Sequence, residues 1–119
     1  MDKFSDKQYD LEERTAIFAE RVIDLCKKGA NSPVIMPIIS QLLRSATSIG
    51  ANYREANGAA SKKDFRNKIF VCKKEAKETE YWLRLLASAV HDLRDKCRIY
   101  WKEAHELTLI FSKIASSCK

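Results

Sequence analysis

Apolar residues recur at alternating spacings of three and four along most of the chain, in four separate runs. Such spacing dictates helices that each hide one face. In the first run Leu11, Thr15, Phe18, Val22 and Leu25 share a face, predicting a helix over about 8–28. Lys27 and Lys28 suit the negative end of its dipole, and Gly29 follows as a stop. Ile35, Ile38, Ile39, Leu42, Ala46, Ile49, Tyr53 and Ala56 mark a second helix, over about 34–57. Ser32 and Pro33 suit its start, Pro37 can delay that start by a few residues, and Asn57-Gly58 ends it. A third helix, over about 61–92, carries Phe65, Ile69, Cys72, Ala76, Leu83, Leu86 and Val90 on its core face, with Thr79 among them. Ser61 is its N-cap, and Asp64 takes the Glu position of a capping box. The fourth helix, over about 95–116, aligns Cys97, Tyr100, Trp101, Ala104, Leu107, Thr108, Phe111 and Ala115.

The connections are short, so neighbouring helices run antiparallel. The expected fold is all-α: an antiparallel up-down-up-down four-helix bundle, one domain over 1–119. Three glycines and two prolines in 119 residues are too few for the turns of an all-β chain. No apolar run approaches the roughly 18 residues of a membrane span. The start, Met1 to Lys7, is polar and lacks the apolar centre of a secretory signal, so a cytoplasmic location is expected. Cys26, Cys72 and Cys97 fall on apolar faces, and no pair among these and Cys118 has C-x-x-C spacing; they are expected to pack as small hydrophobes.

Helices two and three carry more specific text. Residues 42–56 read Leu-Leu-Arg-Ser-Ala-Thr-Ser-Ile-Gly-Ala-Asn-Tyr-Arg-Glu-Ala. They are followed by Ser61-Lys62-Lys63-Asp64-Phe65 and by Glu75-Ala76-Lys77-Glu78-Thr79-Glu80-Tyr81-Trp82-Leu83. With the R-S-x-x-S-I-x-x-N-x-x-E pattern at its centre, this text resembles the four-helix bundle family named for proteins encoded by intervening sequences in bacterial 23S rRNA genes. That family also includes the accessory variability determinant of diversity-generating retroelements. The resemblance spans nearly the whole chain. It implies a bundle that assembles as a ring-shaped homopentamer and, for the retroelement branch, one that binds RNA and a partner reverse transcriptase. Many family members carry a small Gly-Ser pair where Lys73-Lys74-Glu75 stands here, which resembles a different branch.

Three surface features are candidate sites. Arg44, Ser48 and Glu55 fall within a sector of roughly 40° on the second helix, with Ser45 and Asn52 between them and the core. This polar seam suits either a nucleotide or RNA site, or a network that fixes helix register or subunit geometry, with Arg44 paired to Glu75, Glu78 or Glu80. On the third helix Lys62, Arg66, Lys73, Lys77 and Arg84 project within a sector of roughly 60°, interrupted by Glu80 and Ile69. Such a line of cations can follow a phosphate backbone, or it can be a solvated face. Phe70, Tyr81 and Trp82 lie outside the expected core, as do Ile99 and Ile110 on the fourth helix; they suit subunit contact or stacking on unpaired bases.

The net charge of +6 is compatible with nucleic-acid binding or with an acidic protein partner. Catalysis has little support. His91 and His105 stand fourteen apart, with no metalloprotease spacing, no E-x-x-H pairs and no glycine-rich phosphate loop. No enzyme activity and no metal or cofactor is expected; the expected partners are further copies of the chain and either RNA or a reverse transcriptase, the alternative being a purely structural or protein-binding module that binds no nucleic acid.

Overall fold

The structure, a computed structural model, describes residues 10–29 and 31–118. Helix α1 spans Leu11–Lys27, α2 spans Met36–Asn57, α3 spans Lys62–Ala89 and α4 spans Arg94–Ser117, with a 3₁₀ turn at His91–Leu93 before α4. They form an antiparallel up-down-up-down four-helix bundle with extents of 44 × 33 × 19 Å. Cross-contacts fix the antiparallel register of α2 and α3: Ser45 meets Thr79, Ile49 meets Cys72, and Glu55 meets Lys68.

The four apolar stripes turn inward as their spacing requires. Phe18, Val22, Leu25, Leu42, Ile49, Ile69, Leu83, Leu86, Leu107 and Phe111 are buried in one core. Each large side chain of this kind stabilises the fold by about 1.5–3 kcal/mol on burial. Helices α1 and α2 come close at Gly50, where an added Cβ would sit 2.9 Å from Thr15 Oγ1. Thr15 itself is buried because its hydroxyl donates to Leu11 O at 2.7 Å, satisfying it within its own helix.

The helix boundaries differ from expectation in instructive places. The expected start of the first helix near residue 8 lies outside the described residues. The second helix begins at Met36, not 34. Ser32 Oγ accepts from the Val34 amide at 3.2 Å and so caps a preceding turn, while Pro37 takes the first turn of α2. Ser61 caps α3 as expected, accepting from the Asp64 amide at 3.0 Å. The third helix stops at Ala89, short of 92, because Val90 is extended (φ −127°, ψ 97°). The chain then turns through the 3₁₀ segment, which buries Leu93. α4 accordingly begins at Arg94, one residue before the expected 95.

Several residues assigned to core stripes sit farther out: Ile38, Tyr53, Phe65 and Tyr100 are half-buried against the core, and Trp101 and Val90 lie toward its edge. Trp101 is 36% exposed and stacks on His105, with ring centroids 4.9 Å apart and planes 10° apart. Val90 is half-buried at the bundle end. Conversely, Trp82 and Ile110, expected outside the core, are half-buried against it. Among the described residues, no helix is long and apolar enough to cross a membrane.

Candidate nucleic-acid interface

The charges of α3 are sorted between its two flanks. Toward α2, Arg44 Nη1 donates to Glu75 Oε1 at 3.2 Å and to Oε2 at 3.3 Å, and Nη2 donates to Glu78. Trp82 Nε1 donates to the same Glu78 carboxylate at 3.1 Å. Burial works to raise the Glu78 pKa, but the hydrogen bonds from Trp82 and Arg44 outweigh it and hold the carboxyl below its ordinary range. Thr79 Oγ1 and Ser45 Oγ are hydrogen-bonded at 2.9 Å in the buried interior, and Lys68 Nζ meets Glu55 at 2.7 Å.

The polar seam of α2 is therefore split. Arg44, Ser45 and Glu55 reach across to α3. Ser48 and Asn52 turn back on their own helix, donating to Arg44 O at 2.7 Å and to Ser48 O at 2.8 Å. Within the chain, then, Arg44, Ser45 and Glu55 link α2 to α3.

On the other flank, Glu80 turns onto α4. Its carboxylate accepts from Thr108 Oγ1 at 2.6 Å and lies 3.4 Å from His105 Nδ1. Glu80 shares its sector of α3 with Lys62, Arg66, Lys73, Lys77 and Arg84, so those cations occupy the α4 flank. Lys73 is half-buried and the other four are exposed. None of the five forms a salt bridge with another described residue. The Arg66 guanidinium lies 5.2 Å from the centroid of the Phe70 ring. Phe70 and Tyr81 are 42% and 55% exposed on the outer face of α3.

Two clefts mark the ends of this flank. One, of about 780 Å³, is lined by Lys62, Lys63, Phe65, Arg66 and Asn67 together with the end of α4. The other, of about 550 Å³, lies between the end of α3 and the start of α4, and takes in Arg84. The expected stripe thus runs from one basic cleft to the other.

Sequence reasoning missed the second cleft. Arg94, Arg98 and Trp101 recur at spacings of four and three on α4, which was a signal for a shared face. It missed the tie between α1 and α4 as well. Arg14 Nε donates to Glu103 at 2.7 Å and Nη2 to Glu106 at 2.9 Å. The Glu103 bond, against the opposing effect of burial, raises the Arg14 pKa.

The thiols match expectation: Cys72 and Cys97 are buried and Cys26 is half-buried. Burial pushes their pKa values up, Cys72 to about 12 and the other two to about 11, so they are poor nucleophiles.

The family model of the 23S rRNA-intervening sequence proteins matches residues 7–96. The chain belongs to this family. A solved structure from the family's fold neighbourhood agrees: a protein of unknown function from the S23 ribosomal protein family of Bacteroides thetaiotaomicron VPI-5482 is 38% identical, with a TM-score of 0.79 over 87% of this chain and 96% of that one. Neither description names an enzyme activity. No protein of curated function matches the chain.

Proposed function

We propose that the protein is a non-enzymatic, homo-oligomeric helical bundle of the cytoplasm that binds nucleic acid or a ribonucleoprotein as an adaptor. The observation that carries this reading is the sorting of charge on α3. Glu75 and Glu78 are engaged by Arg44 on one side and Glu80 by Thr108 on the other, while Lys62, Arg66, Lys73, Lys77 and Arg84 have no carboxylate partner among the described residues along the α4 flank. Uncompensated cations in a line release counterions from a phosphate backbone when they bind it.

Assembly with further copies is supported by apolar side chains left at the surface: Phe70 and Tyr81 on α3, Ile99 and Leu109 on α4. The same side chains favour the second reading, a protein-binding module that never touches nucleic acid.

A titration with structured RNA at low and moderate salt, using Lys73→Glu/Lys77→Glu as the comparison, separates the two. Salt-sensitive binding that the double variant weakens supports the adaptor. Equal, negligible binding by both proteins rules it out. Light scattering at micromolar concentration tests assembly, and a monomer there contradicts it.

A further inference from the structure

The cleft at the junction of α3 and α4 combines an apolar floor, a rim of three arginines and an indole wall. Its floor is apolar: Leu83 and Cys97 are fully or almost fully buried, with Ala87 beside them. Its rim carries Arg84, Arg94 and Arg98, all exposed, with His91 at the end. None of its lining residues is acidic; Asp92 and Asp95, though adjacent in sequence, do not line it. Three guanidinium groups around one concavity, with no carboxylate between them, repel one another unless an anion joins them. Planar guanidinium forks match the oxygens of a phosphate.

Trp101 completes the wall. His105, which does not line the cleft, stacks on the indole and is itself close to Glu80, so the ring is braced from behind. A braced indole at the edge of an arginine-rimmed cleft is a stacking platform for a flat ring. The volume of about 550 Å³ is of a size that takes one nucleotide. A base paired within a duplex cannot present its face to such a wall, whereas an unpaired one can.

We propose that this cleft holds one unpaired nucleotide of an RNA strand, with its phosphate among Arg84, Arg94 and Arg98 and its base against Trp101. The proposal rests on the nucleic-acid-binding reading above and narrows it. The α3 stripe follows the backbone of the strand, and the cleft at its end selects single-stranded over double-stranded RNA.

Lys96, on another face of α4, lowers the pKa of the neighbouring Lys28 by direct contact and charge repulsion, with Asp24 a weaker opposing influence.

The test uses the full chain carrying Trp82→Phe, which leaves Trp101 as its one tryptophan and so as the fluorescence reporter. Three probes are titrated: an RNA octamer of A, a blunt RNA duplex, and adenosine monophosphate. The octamer is expected to quench Trp101 saturably and to bind at least tenfold more tightly than the monophosphate. Arg94→Ala/Arg98→Ala is expected to weaken the octamer at least tenfold. In a protein that retains Trp82, Trp101→Ala is expected to weaken it about tenfold by an anisotropy readout, with Trp101→Phe restoring most of that loss. Circular dichroism of each variant confirms the helical fold, and the Phe variant keeps the test open should the Ala variant unfold.

Octamer binding of unchanged affinity in the arginine and tryptophan variants, with loss in Lys73→Glu/Lys77→Glu, overturns the cleft and leaves the stripe standing. Absence of octamer and duplex binding by the parent protein overturns both. Equal affinity for monophosphate and octamer overturns the strand assignment in favour of a free nucleotide.

Discussion

The two flanks of α3 carry charges drawn from the same short segment, and they end in opposite states. Toward α2, Glu75 and Glu78 are tied to Arg44, Lys68 is tied to Glu55, and Thr79 is bonded to Ser45. Toward α4, Glu80 is drawn in by Thr108 while the cations beside it have no carboxylate partner among the described residues. One flank is stitched to its neighbour and the other is left charged. The lesson is that the electrostatics of a helix face are set by what the adjacent helix offers. α2 offers an arginine and a serine at the right heights, and α4 offers a threonine that donates to the one acid.

The largest effect that sharpens this contrast comes from Arg44→Ala. It leaves Glu75, whose side chain is 12% exposed, without its partner, and is expected to cost about 1–3 kcal/mol in urea unfolding. Adding Glu75→Ala is expected to recover part of that loss, since the two residues act as a pair. A loss no greater than that of Lys77→Ala would show the flanks to be equivalent and break the comparison.

Next in size is Thr79→Val, which removes a buried hydroxyl from Ser45 and is expected to cost about 1 kcal/mol by the same measurement.

A smaller part of the stitched flank depends on pH. The Glu78 pKa is lowered in the folded protein, so its carboxylate adds stability at neutral pH. That contribution is present above the unfolded pKa, near the ordinary 4.5, and is lost as the pH falls through the lower folded value. Thermal melts between neutral pH and pH 3 are expected to show a steeper acid loss in the parent than in Trp82→Phe/Arg44→Ala. Parallel acid limbs would remove Glu78 from the account.

The smallest stability effect is expected on the open flank. Lys73→Glu/Lys77→Glu is expected to change unfolding free energy by less than about 0.5 kcal/mol. The same variant is expected to lower the slope of log affinity against log salt for RNA by about two. A large destabilisation would mean that this flank is part of the scaffold.

Much of the architecture was legible in the spacing of apolar residues, because a helix must bury its stripe wherever the stripe lies. The cap at Ser61 was legible for a similar local reason: a serine three residues before an acid satisfies a free amide at a helix start. Arg44 was expected to find a carboxylate on α3, and it found two of the three on offer. Trp101 was misassigned because its spacing matches the core stripe, yet it lies near the end of the bundle, at the rim of a cleft. The cleft itself needed Arg84 of α3 to meet Arg94 and Arg98 of α4, residues separated by the extended break at Val90 and the 3₁₀ turn.

The sequence by itself determined four helices, their inward faces and the Ser61 cap of α3, since each of those follows from interactions within a few residues along the chain. Only the tertiary structure decided which charges are neutralised and which remain free. Pairing depends on distances of a few ångströms between side chains on different helices, and the same lysines and glutamates could have met in several ways. The bundle's packing chose one of them, closing the α2 side of α3 and leaving the α4 side positively charged.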